Sequence, residues 1–422
     1  MRNGQVGSIF VGPGTLSGTV KAPASKSFAH RALICAALSG GSSLLTNIDL
    51  SKDILATMQC LQALGFAVQY QAKDRTISVG AAQQTSDDDC ATLHCGESGS
   101  TLRFLIPLAA ALGRETIFTG EGRLPQRPIG EFNSIFHQKG VQLETTNGML
   151  PLHIRGKLTA GVYHVSGKIS SQYITGLLLA LPILASDSEI KLLTPLESAP
   201  YIDVTIAVME SFGVQVIRTA DGFQVPGRQV YKARTYEVEG DYSQAAFWLT
   251  ANYLGSTLAV TGLNDGSVQG DRAICDVLEQ IKNGTQDVAQ ERTIDVAQIP
   301  DLVPILAGAA ALTPGVTRFI NAGRLRIKES DRLAAVTDVL RKLGADIQEF
   351  PEQLVVKGKD ALRGGQASAW DDHRIAMMLA VVALRTKNGV TIDGFSCVEK
   401  SYPSFFQEFA RLGGTVNELN LG

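Results

Sequence analysis

Residues 56–70 read ATMQCLQALG-FAVQY, an amphipathic run that stops at Gly65 and passes directly into a strand pattern. A glycine just past a helix tolerates the left-handed turn that ends it. The pattern returns as EFNSIFHQKG-VQLE at Gly140, TIAVMESFG-VQVI at Gly213 and AICDVLEQIKNG-TQDV at Gly284. It returns again as LAAVTDVLRKLG-ADIQEF at Gly344 and FFQEFARLGG-TVNEL at Gly414. Self-similarity at intervals of roughly 70 residues marks a structural repeat. Between these segments lie more strongly apolar ones, near 27–38, 100–112, 171–184, 242–254, 301–312 and 373–385. Helices apolar on nearly all faces are buried. Each unit therefore pairs one buried helix with one half-exposed helix and several short strands. Six units divide into two domains of three, an α/β (α+β) architecture with the buried helices at the domain centres.

Composition narrows the function. A chain of 422 residues with 45% hydrophobic content supports two packed cores. The net charge of −3 argues against a nucleic-acid binder, so the basic residues must work locally. The six cysteines lie far apart with no C-x-x-C pair, which fits reduced thiols in a cytoplasmic protein. The N-terminal stretch MRNGQVGSIFVGPG lacks a signal-peptide core, and no apolar run reaches membrane-spanning length. The expectation is a soluble, cytoplasmic protein with no membrane contact.

Chemistry collects where the buried helices begin. Ser25-Lys26-Ser27-Phe28-Ala29-His30-Arg31 precedes ALICAAL, and Gly96-Glu97-Ser98-Gly99-Ser100-Thr101-Leu102-Arg103 precedes FLIPLAAAL. Asp371-Asp372-His373-Arg374 precedes IAMMLAVVAL. A helix N-terminus offers unpaired N–H groups and a partial positive charge, and an adjoining Lys or Arg strengthens its hold on an anion. Taken singly, an Arg at such a head is ordinarily a surface ion pair. The repetition of the device points to several anionic groups gathered together.

These heads carry a set of motifs that resembles the enolpyruvyl transferases, and among them the 3-phosphoshikimate 1-carboxyvinyltransferase (EPSP synthase) family. The motifs are Pro23-Ala24-Ser25-Lys26-Ser27 with Arg31, Gly99-Ser100 with Arg103, and Arg123-Leu124-Pro125-Gln126-Arg127-Pro128-Ile129. Ser170-Ser171-Gln172, Pro200-Tyr201-Ile202-Asp203, Lys328-Glu329-Ser330-Asp331-Arg332, Asp372-His373-Arg374 and Lys400 follow in family order. The resemblance covers essentially the whole chain. It implies two domains of three βαβαββ repeats, an inside-out α/β barrel arrangement. It also implies a discontinuous domain, 1–22 plus 239–422, carrying Asp301, Lys328–Arg332, His373–Arg374 and Lys400. The inserted domain, 23–238, carries Lys26, Arg127 and Ser170–Gln172.

The activity implied is transfer of the enolpyruvyl group of phosphoenolpyruvate to the 5-hydroxyl of shikimate 3-phosphate, with release of phosphate. The family places phosphoenolpyruvate on Lys26, Gly99, Arg127, Gln172, Arg332, Arg374 and Lys400. It places shikimate 3-phosphate on Lys26, Ser27, Arg31, Ser170, Ser171, Gln172, Ser198, Asp301 and Lys328. Arg grips planar anions with two prongs while Lys acts as a compact charge. Asp301 is expected to be the base. Glu329 and Lys26 are expected to be the proton donors, their division of labour left open, and His373 to assist or orient neighbours. The resemblance implies no metal and no organic cofactor, and a monomer. Because two cationic faces repel, an open form that closes on substrate is expected, and glyphosate, an anion resembling phosphoenolpyruvate, is expected to compete because Gly99 leaves its pocket unobstructed.

Two positions depart from the family pattern. Glu97 stands where Asn is common, and is expected to pair with a nearby Arg; Arg324 aligns with another common Asn. The sister family acting on UDP-N-acetylglucosamine carries a Cys that Gly120–Pro128 lacks. An RNA-end-processing repeat protein would need a basic groove with stacking aromatics, against 6% aromatic content here. Cys90, His94 and Cys95 lack a fourth zinc ligand at a standard spacing, Asp87-Asp88-Asp89 reads as a solvated loop, and Asp371-Asp372 as capping and ion pairing.

Overall fold

The structure is a computed structural model that describes residues 7–82, 90–137, 139–283 and 291–419. Gly284 and Asp87–Asp89 lie outside them. The chain forms two compact units, Met1–Pro23 with Gly240–Gly422, and Ala24–Glu239. Each encloses its own apolar core.

In the 24–239 unit the repeat is explicit. Strand Ala91–His94, helix Gly99–Leu112, strand Thr116–Thr119, helix Glu131–Ile135, then strands Val141–Thr146 and Met149–Gly156 make one βαβαββ module. Its first two strands are parallel, and the second pairs antiparallel with the last, which pairs antiparallel with the third. Strands Val162–Val165, Ser188–Leu192, Ile217–Arg218 and Gly222–Val225 repeat that order in a second sheet. In the third sheet, Thr235–Glu237 from the end of the unit supplies the leading strand, parallel to Ser43–Thr46.

The other unit repeats the plan. Strands Glu291–Asp295, Gly315–Ile320, Asp346–Phe350 and Gln353–Gly358 form one complete sheet. In another, Ser8–Val11 closes Gly365–Ser368, Val390–Asp393 and Val416–Leu419 from the opposite end of the chain. Among the described residues the remaining sheet has two parallel strands, Ser17–Lys21 and Thr257–Thr261.

The strongly apolar segments form the buried helices Lys26–Leu38, Gly99–Leu112, Ser171–Ala180, Tyr242–Tyr253, Val303–Ala311 and His373–Ala383. The third ends four residues earlier than its apolar run, passing into a 3-10 turn at Leu181–Ile183. Pro182 has no N–H to continue the ladder. Gly65, Gly140, Gly213 and Gly344 take positive φ of 94°, 77°, 81° and 94°, the turn that ends each outer helix. At the last repeat Gly413 (φ 95°) takes that role rather than Gly414, whose backbone packs against the Phe409 ring. No helix among the described residues is long and apolar enough to cross a membrane.

The buried helices approach closely. A Cβ on Gly176 would stand 2.3 Å from the Arg103 carbonyl oxygen and 3.1 Å from Pro107 Cγ. Backbone oxygen cannot yield as a side chain can. Gly176→Ala is expected to lower unfolding stability by roughly 1–3 kcal/mol. A urea midpoint unchanged from wild type would show that the two helices part without cost.

Candidate active site

In the 24–239 unit the buried guanidinium groups of Arg31 and Arg103 rest on neutral acceptors. Arg31, one turn into helix Lys26–Leu38, is buried. Its Nε donates to Thr205 Oγ1 at 2.8 Å and its terminal nitrogens to the Ser27 and Tyr201 carbonyls at 2.7 and 3.1 Å. The guanidinium lies 5.0 Å from the Phe104 ring centroid. Burial pulls its pKa down to about 10, which still leaves it charged at neutral pH. Burial, with Lys26 and Arg31 nearby, holds His30 well below the usual histidine range, hence neutral against Thr57 Oγ1. Lys26, at the first position of that helix, pairs with Asp53 at 2.6 Å.

Gly99 opens the second buried helix, where Ser98 caps by accepting from the Thr101 N–H. A Cβ on Gly99 would meet Arg127 at 2.7 Å and Arg103 at 2.9 Å. The absent side chain thus lets two guanidinium groups converge on one helix head. Arg103 donates to Gln172 Oε1 at 2.9 Å and to the Pro128 carbonyl at 3.2 Å, and lies over Tyr173. Gln172 in turn donates to Ser100 Oγ, and Tyr173 to the same Pro128 carbonyl. Arg103 therefore ties the loop after Arg127 to the head of helix Ser171–Ala180. Ser170 caps that helix through the Gln172 N–H. Ser171 and Ser198 are buried, Ser198 in the left-handed region (φ 55°) that costs a non-glycine residue about 1 kcal/mol. Glu97 packs against the bare backbone of Gly122.

In the other unit carboxylates surround the cations. Arg332 heads helix Arg332–Lys342 and is almost wholly buried. Its Nε donates to Asp372 Oδ2 at 2.8 Å, and its two terminal nitrogens to Asp301 Oδ1 and Glu329 Oε2, each at 2.7 Å. Burial opposes its charge, but Asp372, Glu329 and Asp301 outweigh it and lift its pKa further. Asp372 accepts from Ser330 and caps helix His373–Ala383 through the Arg374 N–H. Burial alone would raise its carboxyl; Arg332 and His373 hold it low. Asp301 also faces Lys328 Nζ at 3.4 Å and Arg374 at 3.3 Å. Burial lowers the Lys328 pKa, opposed by Asp301 and reinforced by Arg332 and Arg324. The Arg324 departure therefore adds positive charge beside Lys328. Lys400 sits on the Asp371 carbonyl and carboxylate, at 2.8 and 3.2 Å. His373 is buried beside Asp372.

Three residues of these clusters had no role in the sequence reading: Asp53, Asp241 and Asp271. Asp241 caps helix Tyr242–Tyr253 through the Gln244 N–H. Asp271 is buried, accepts from Ser243, and is pushed up to about 7, first by burial and then by the Asp301 charge. The zinc reading of Cys90, His94 and Cys95 does not assemble. Four residues along a strand separate Cys90 from His94 by roughly 13 Å. Cys95 is buried, whereas Cys90 and His94 are exposed.

The two-unit repeat with catalytic-type side chains at its helix heads is the fold of solved enolpyruvyl transferases. The chain superposes on EPSP synthase from Acinetobacter baumannii with a TM-score of 0.80 at 23% identity, over 98% of this chain and 100% of that one. It superposes on the enolpyruvyl transferase NikO from Streptomyces tendae with a TM-score of 0.78 at 16% identity, over 99% of each. Residues 11–409 match the model of the EPSP synthase (3-phosphoshikimate 1-carboxyvinyltransferase) family. The 3-phosphoshikimate 1-carboxyvinyltransferases of Clostridium kluyveri and Clostridium acetobutylicum are 45% and 43% identical, over 98% of this chain and 99% of each relative. The chain belongs to the EPSP synthase family.

Asp271 gives a prediction with a definite sign. Its folded pKa lies above the unfolded value, so the folded state holds a proton that the unfolded chain has lost between about pH 4 and 7. Its contribution to stability therefore falls as pH rises through that window. Asp271→Asn, which keeps the neutral shape, should stabilise the protein at pH 8 relative to wild type by on the order of a few kcal/mol, and little at pH 4. Urea unfolding at both pH values checks this; an equal difference at both would refute it.

Proposed function

We propose that this chain transfers the enolpyruvyl group of phosphoenolpyruvate to the 5-hydroxyl of shikimate 3-phosphate, giving 5-enolpyruvylshikimate 3-phosphate and phosphate. The observation that carries the reading is the Asp301 carboxylate, set among Lys328, Arg332 and Arg374. A base in that position is surrounded by the cations that the anionic substrate would claim. Both clusters serve the one reaction in this reading.

In the addition step a proton goes to the methylene carbon of phosphoenolpyruvate, and the 5-hydroxyl oxygen bonds to the adjacent carbon as its own proton leaves. Asp301 accepts the hydroxyl proton; its lone pairs become available as Arg332 and Arg374 turn to the carboxylate and phosphate of phosphoenolpyruvate. Glu329, more exposed than Arg332 beneath it, and Lys26 are the proton donors. In the elimination step the methyl group returns a proton and the carbon–oxygen bond to phosphate breaks. Arg127, Gln172, Gly99 and Lys400 complete the phosphoenolpyruvate site. Ser27, Arg31, Ser170, Ser171 and Ser198 hold shikimate 3-phosphate, and His373 orients its neighbours. Arg103 acts behind them as a positioning residue, because its terminal nitrogens bond Gln172 and Pro128.

Phosphate release from phosphoenolpyruvate tests the reading, with shikimate 3-phosphate and UDP-N-acetylglucosamine offered separately. Release is expected with shikimate 3-phosphate alone. Asp301→Ala and Glu329→Gln should each cut kcat by about 10²–10⁴-fold. Release only with UDP-N-acetylglucosamine would move the chain to the sister activity, and release with neither would leave an anion-binding scaffold.

A further inference from the structure

On the sheet formed by Ala91–His94, Thr116–Thr119, Met149–Gly156 and Val141–Thr146, one face packs into the core and the other faces solvent. Leu152 and Ile154 are buried, while His153 between them projects from the outer face. The sheet register sets Glu144 directly opposite His153. Cys90 and Glu115 immediately precede the two parallel strands. The thiol of Cys90, a carboxylate oxygen of Glu115 and a ring nitrogen of His153 all lie within 4.8 Å of one another.

We propose that Cys90, Glu115 and His153 form a binding site for a zinc-like divalent cation. Tetrahedral zinc with bonds of about 2.3 Å to sulfur and 2.0 Å to nitrogen or oxygen sets its ligand atoms roughly 3.3–3.6 Å apart. Here Cys90 Sγ is 3.9 Å from His153 Nε2, and Nε2 is 2.8 Å from Glu115 Oε1. Small side-chain shifts on an exposed sheet face bring both separations into range. The cation takes the place of the proton shared by Nε2 and Oε1, and solvent supplies the fourth ligand.

A second observation supports the site independently. The other ring nitrogen, Nδ1, faces Glu144 Oε2 at 3.7 Å. Histidines that ligate metals usually pass their second N–H to a carboxylate, which sets the tautomer and aims the ring. Arg155 donates to Glu115 Oε1 at 2.9 Å and to Glu144 Oε1 at 3.3 Å, holding both carboxylates in place. Its positive charge works against a cation. Two carboxylates and a thiolate against one guanidinium still leave the negative charge that a divalent ion neutralises. Burial and the Glu115 charge push the Cys90 thiol up, so binding expels its proton to solvent.

The test is a Zn²⁺ titration of the full chain, stripped with a chelator, in competition with a chromophoric chelator. One equivalent is expected to bind. Cys90→Ser and His153→Ala should each lose at least about tenfold in affinity, and Glu144→Gln about 10–100-fold. Cys275→Ser, which removes the other exposed thiol, should bind as wild type does. Circular dichroism of each variant confirms folding, and phosphate release should stay at the wild-type rate, since none of these residues belongs to the reaction site. Thermal unfolding adds a second readout: Zn²⁺ should raise Tm in wild type and not in Cys90→Ser. Absence of binding in wild type, or equal affinity in Cys90→Ser, would overturn the proposal.

Discussion

The unit containing the Asp301 cluster depends on one guanidinium. Arg332 is almost wholly buried and its donors reach three carboxylates. Each carboxylate sits at a different helix head: Asp301 before Val303–Ala311, Glu329 before Arg332's own helix, and Asp372 at the cap of His373–Ala383. A single charged group thus ties together the heads of three helices from two repeats. Burying it alone would be prohibitive, and removing it would leave the fully buried Asp372 without its cation, a loss that typically costs about 3–5 kcal/mol. Placement of Asp301 and stability of the unit are therefore the same problem. Asp301 cannot drift without breaking one of the three charged hydrogen bonds that hold Arg332.

The other unit solves a similar problem with the opposite chemistry. Arg31 and Arg103 are also buried at helix heads, yet they donate to hydroxyls, carbonyls and an amide. Neutral acceptors satisfy the donors without cancelling the charge. The heads of Lys26–Leu38 and Gly99–Leu112 therefore keep a positive potential that the helix N-termini reinforce. That arrangement suits the proposed receipt of phosphate and carboxylate groups. It costs desolvation, visible in the depressed pKa of Arg31.

Much of this was legible in the chain. Gly65, Gly140, Gly213 and Gly344 announce their turns because the left-handed conformation is a local requirement that glycine meets best. The apolar runs announced the buried helices for the same local reason. What escaped is what only tertiary structure joins. Asp372 read as a cap, and its hold on a guanidinium 40 positions away is invisible in sequence. Cys90, Glu115 and His153 meet through strand register, whereas of Cys90, His94 and Cys95, close in the chain, the first two are separated by distance along the strand and the third turns to the core. Asp271 carried no signal at all, because burial is its only distinction.

Asp271 also completes the electrostatic argument around Asp301. Counting Asp241, Asp271, Asp301, Glu329, Asp371 and Asp372 against Arg324, Lys328, Arg332, Arg374 and Lys400 leaves the cluster one acid in excess, which weighs against binding anions. The excess is reduced by protonation rather than by pairing. Burial and the neighbouring Asp301 charge push Asp271 up to about 7, and Ser243 gives it a hydrogen bond. Like charges in a low-dielectric setting do not both ionise when one can keep its proton. Asp301 has three cations around it and Asp271 has none hydrogen-bonded to it among the described residues, so the fold biases which acid takes the proton by deciding which acid has partners.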